Sequence, residues 1–131
     1  MIDIVIYKEP ECRLVFIGVS GHANTAKKGQ DTICAAVSIL VYGLAAQIEK
    51  LDEKYFANRH VEIGDEGTGI ADIMAEGANT AVYMRVLDYL EPIERAMESL
   101  AEKYPQQVRL TTKGSRPKNL GPEWLRLWDI E

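Results

Sequence analysis

The stretch IDIVIYKEPECRLVFIGVS, residues 2–20, decides the fold. Ile2, Ile4 and Ile6 alternate with Asp3, Val5 and Tyr7, the period of two that sends successive side chains to opposite faces of a strand. Residues 8–12 hold Pro10 among polar neighbours and suit a turn, and residues 14–20 return as a second strand, so the chain opens on a β-hairpin. Residues 21–31, GHANTAKKGQD, break the pattern with two glycines and two lysines and read as a loop. Asp31 or Thr32 then stands as N-cap of a helix extending to about Tyr55. Residues 59–63 and 70–75 read as two strands joined by GDEGTG. Asn79 caps a second helix in which Val82, Val86, Leu90, Ile93, Met97 and Leu100 keep a helical period up to Tyr104, with Pro92 expected to kink or divide it. Residues 108–112 supply a last strand. The order ββαββαβ predicts an α+β two-layer sandwich, one sheet with both helices packed on one face.

Composition supports one domain. The chain has 131 residues, 47% hydrophobic and 27% charged, enough for one sizeable core and none of the biases of a disordered or disulfide-stapled chain. The domain is expected over residues 1–112, with 113–131 a C-terminal tail rather than a second domain. That tail is rich in turn residues until Trp124, Leu125, Leu127 and Trp128; the two tryptophans, four apart, suit a core edge or a dimer seam.

The formal charge of −5 offers no positive field to a phosphate backbone, which argues against direct nucleic-acid binding. Residues 49–76 carry eight acids against three bases and read as a solvated face. The longest near-apolar run, residues 33–46, is 14 residues long, short of the roughly 20 that span a bilayer, and predicts a buried helix rather than a membrane segment. With an acid at position 3 and no basic stretch before the first apolar residues, no signal peptide is expected and the cytoplasm is the expected location. In that reducing compartment Cys12 and Cys34, 22 residues apart, are expected as free thiols.

Cys12, Cys34, His22 and His60 are the soft ligand and nucleophile candidates. They lack the paired spacings of a zinc site, so no metal and no cofactor is expected. Cys34 falls in the first turn of the helix if that helix starts at Asp31 or Thr32, where unpaired N–H groups and the dipole favour a thiolate. His22, at the far end of the intervening loop, is free to fold back onto the sulfur. Spacing alone permits a Cys/His dyad and equally permits a small buried cysteine and an ordinary surface histidine.

Read as a unit, Gly21-His22-Ala23, Gly29, Asp31 and Ile33-Cys34-Ala35-Ala36-Val37-Ser38 resembles the signature of the bacterial ribosomal-processing cysteine protease (Prp) family, GHA followed by D-x-x-C-A-A-V-S. The resemblance extends over residues 1–112 and implies a homodimeric α/β cysteine endopeptidase with His22 and Cys34 as the catalytic pair. It also implies a substrate: the N-terminal extension of large-subunit ribosomal protein number twenty-seven. Thiolate attack, an acyl-enzyme and an oxyanion held by N–H groups at the start of the Cys34 helix follow from the same resemblance. Asp31 either caps the helix or orients His22. Ser38, one turn beyond Cys34, either reaches the sulfur or is an ordinary helix-interior serine. Gly21 and Gly29 give the loop the freedom of a lid. His60 and Cys12 lie outside the motif and read as structural. Pro92 and the tail depart from the family pattern. Two other functions fit the same residues: a non-catalytic ribosome-assembly or ribosome-binding module with an inert Cys34, and a thiol redox protein exchanging Cys34 with Cys12.

Overall fold

The structure, a computed structural model, describes residues 1–21, 28–64 and 71–114, with the backbone alone at 28–31. Strands β1 (Ile2–Glu9) and β2 (Leu14–Ser20) form the opening hairpin, followed by α1 (Lys28–Lys50), a 3-10 turn (Glu53–Tyr55), β3 (Phe56–Ile63), β4 (Ala71–Gly77), α2 (Thr80–Lys103) and β5 (Val108–Lys113). The strands make one sheet in the order β3-β4-β2-β1-β5, antiparallel except where β5 lies parallel to β1. The expected α+β sandwich is what forms.

Strand register explains why both helices lie on one face. Ile17 stands opposite Ile6 on one side and Ile73 on the other, and Val19 stands between Ile4 and Ala71. These rows are buried together with Ile33, Val37, Val41, Leu44 and Ile48 of α1 and Val82, Val86, Leu90 and Met97 of α2. A fully buried Ile such as Ile17 contributes about 1.5–3 kcal/mol by leaving water. A slip of one residue would turn each row to the other face.

Several element boundaries differ from those read in the sequence. Helix α1 begins at Lys28, so Asp31 and Thr32 lie inside it and neither is its cap. It stops at Lys50 instead of about Tyr55, because Asp52 starts a separate 3-10 turn by accepting a hydrogen bond from the Lys54 amide at 3.0 Å. Arg59 of β3 closes the helix end, its Nη1 donating to the carbonyls of Ile48 at 3.2 Å and Leu51 at 2.7 Å. The Ile48 carbonyl also accepts from the Leu51 amide at 3.2 Å, so Arg59 adds a second donor there and supplies one to Leu51.

Helix α2 keeps its expected cap, the Asn79 side chain accepting from the Val82 amide at 3.0 Å. It runs through Pro92 undivided. Pro92 lies on the exposed side with Glu91, where water reaches the backbone and a missing amide costs less than it would against the sheet. Lys8 pins β1 to the middle of α2 through Glu94, Nζ to Oε2 2.6 Å, with both side chains mostly buried.

The expected burial of residues 33–46 holds for one side only. By length and composition Thr32–Lys50 is apolar enough to cross a membrane, yet its inner side forms part of the core while Ile39 (68% exposed) and Tyr42 (45%) face outward.

Two outcomes follow. Arg59→Ala should remove about 1–3 kcal/mol of stability in urea unfolding by taking the guanidinium donor from the Ile48 and Leu51 carbonyls. Tyr83 is buried, its hydroxyl has no hydrogen-bond partner among the described residues, and burial pushes its pKa from 10.0 up to about 12. The unfolded chain ionises this group first, so the stability tied to it is intact below pH 10 and is lost as pH rises towards 12. Tyr83→Phe should match or exceed wild-type stability at neutral pH and lose less of it across the alkaline range, measured by urea unfolding.

Candidate functional site

Cys34 is the seventh residue of α1, in its second turn, half-buried and packed against the core cluster. The first-turn position expected from the sequence is not what forms. In a regular helix its amide bonds back to the Gln30 carbonyl, and the N–H groups without helical partners belong to residues 28–31, roughly 5–9 Å back along the axis. The dipole acts within the terminal turn, so neither the thiolate-favouring field nor the oxyanion donors expected at Cys34 come from this helix end.

Ile33 and Val37, buried on either side of Cys34, fix the rotation of the helix and leave the sulfur at the boundary between core and surface. Ser38 is half-buried one turn further on, on the same side of the helix. Asp31 is the fourth residue of α1 and Gly29 the second, so Gly29 belongs to the helix and not to a loop. The segment from β2 to α1 is correspondingly shorter than read in the sequence. His22 lies outside the described residues, as does the rest of 22–27, and so does the side chain of Asp31.

Gly21, at the end of β2, is described. Its φ of +81° is left-handed, and a Cβ there would collide with the carbonyl oxygen of Met1, so the chain entering the motif passes too close to the β1 start for any other residue.

Both cysteines are free; Cys12 is exposed in the β1–β2 turn. His60 is exposed on β3, its Nε2 3.4 Å from a Glu62 carboxylate oxygen. Among the described residues no group of three or more His, Cys, Asp and Glu converges as a metal site would require. The outward apolar side of α1 went unnoticed in the sequence, although Ala35, Ile39, Tyr42, Gly43 and Ala46 recur at three- and four-residue intervals.

The sequence model of the family described as Cysteine protease Prp matches residues 1–109. A ribosomal processing cysteine protease Prp of Bacillus subtilis is 25% identical over 118 residues, covering 86% of this chain and 97% of its own. A protein of the same description from Mycoplasma pneumoniae is 29% identical over 89 residues, 68% of this chain and 78% of its own. In three dimensions the chain is similar to an essential ribosomal processing protease Prp from S. aureus in complex with a substrate peptide. The TM-score is 0.64 at 21% identity, covering 86% of this chain and all of that one, which shows a shared fold.

Gly21→Ala should lower stability by more than about 1 kcal/mol through the strained φ and the clash with Met1, read as a shift of the urea midpoint. Ser20→Ala, on exposed extended backbone beside it, should leave the midpoint unchanged.

Proposed function

The chain belongs to the Prp family of cysteine proteases, its match running over residues 1–109, and from that premise we propose that it removes the N-terminal extension of large-subunit ribosomal protein twenty-seven. The observation that carries this reading is that the family match includes the whole GHA…D-x-x-C-A-A-V-S block, with Cys34 at the edge of the core on a helix whose rotation is fixed by packing.

In this reading His22 takes the proton from the Cys34 thiol, and the thiolate attacks the scissile carbonyl to form a tetrahedral oxyanion. Collapse breaks the C–N bond, His22 gives its proton to the leaving amine, and the acyl-enzyme thioester remains. The shortened ribosomal protein leaves as that amine; water, deprotonated by His22, then attacks the thioester and releases the extension peptide as a carboxylate, and the proton returns to the Cys34 thiolate. Because Cys34 stands in the second turn of α1, His22 carries the activation that a helix terminus would otherwise share. Asp31 has the role of orienting His22, since it is not the helix cap; Ser38 stays a supporting residue beside the sulfur. The protein works in the cytoplasm without cofactor, metal, membrane or nucleic acid, on a ribosomal protein. It acts as a homodimer, which the exposed Ile39 and Tyr42 on α1 support.

The inert-cysteine reading draws on the same helix start, and one pair of measurements separates the two. Limiting iodoacetamide at neutral pH should label Cys34 before the more exposed Cys12 in the wild type, and Cys12 first in His22→Ala. A peptide spanning the extension junction should be cut by the wild type, with the rate falling roughly 10²–10⁴-fold in His22→Ala and to background in Cys34→Ala, circular dichroism being unchanged. Equal cleavage by folded His22→Ala would remove the dyad. Light scattering should give a dimer mass at tens of micromolar for the wild type and a monomer for Ile39→Asp.

A further inference from the structure

The sheet has a second face. Residues of β1, β2 and β4 that alternate with the core rows point away from the helices, and their register sets Tyr7 opposite Phe16 and Phe16 opposite Met74, with Lys113 of β5 and His60 of β3 at the two ends of the row. Val5, 37% exposed, lies beside this row, with Tyr7, Phe16 and Met74 half-buried. Asp72 and Glu76 flank Met74 on the same face of β4. No described element covers this apolar strip.

The chain itself supplies a cover of matching length and composition. Strand β5 ends at Lys113, on the open face's own edge, and Gly114 follows with φ +81° packed against the Lys8 carbonyl, a turn out of the strand line. Residues 115–131 lie beyond the family match, which ends at residue 109. They hold Leu120, Trp124, Leu125, Leu127, Trp128 and Ile130, with the bases Arg116 and Lys118 ahead of the tryptophans and Arg126 between them, and the acids Glu123, Asp129 and Glu131. From Gly114 to Trp124 the extended chain reaches roughly 33 Å. From β5 to β4 is three strand spacings, about 14 Å. Both tryptophans can therefore reach Phe16 and Met74, and the bases can meet Asp72 and Glu76.

We propose that residues 115–131 dock in cis across the open sheet face, seating Trp124 and Trp128 on the Tyr7–Phe16–Met74 strip and so giving this chain a third layer. This inference does not depend on the proteolytic reading.

Trp124 and Trp128 are the only tryptophans in the chain, so indole emission reports on the tail alone. In the full-length folded protein the emission should be blue-shifted and shielded from acrylamide, and it should stay so on dilution. Met74→Lys should red-shift it and raise the quenching constant severalfold with far-UV circular dichroism unchanged; Val5→Lys serves as a second variant on the same face should Met74→Lys not fold. Emission of a fully hydrated indole in the wild type would overturn the proposal. So would a shift produced by Ile39→Asp on α1 and by neither sheet-face variant, or loss of shielding on dilution, which would place the tail on a second copy.

Discussion

Ile17, held between Ile6 and Ile73 in the middle of the sheet, is the contact on which the rest of the molecule depends. Its strand is central, so its register commits both neighbours at once, and theirs commit β3 and β5. Once this row is buried, only one face of the sheet can take helices, and the inner sides of α1 and α2 close over it. The position of Cys34 is a late consequence of that choice: its neighbours Ile33 and Val37 must point inward, which leaves the sulfur at the margin of the core.

That chain of dependence shows why some features could be read in the sequence and others could not. The alternation in β1, β2 and β4 and the apolar spacing of α2 are one-dimensional signals of burial, and they placed the strands, the Asn79 cap and the fold class. The start of α1 was misjudged because Gly29 reads as a loop residue and Asp31 as a cap, each by local propensity, whereas a long helix anchored by Ile33, Val37 and Val41 can carry a glycine at a cost of about 1 kcal/mol. Pro92 leaves α2 undivided for a related reason: which side of the helix faces water decides its cost, and spacing alone does not weigh that.

The site divides along the same line. His22 and Cys34 stand out as a motif because chemistry restricts residue type, and family membership rests on the stretch that contains them. The angle and depth of Cys34 come from packing partners in α1 and the sheet, so no local pattern encodes them. Arg59 makes this plain. It looks like an ordinary charged strand residue, yet it closes the helix that carries Cys34.

Arg59 also joins two parts of the molecule that would otherwise open separately. β3 is the outermost strand on its side, it carries an irregularity between Phe56 and Asn58, and none of its residues is fully buried, so it is the strand most ready to peel away in thermal fluctuation. Each such event takes the guanidinium with it and removes a donor from the carbonyls of Ile48 and Leu51. Fraying at the rim of the sheet thereby reaches the C-terminal end of α1, and the strand edge and that helix end are coupled in local opening. Warming the protein would loosen this rim and the end of α1 together before the core itself gives way.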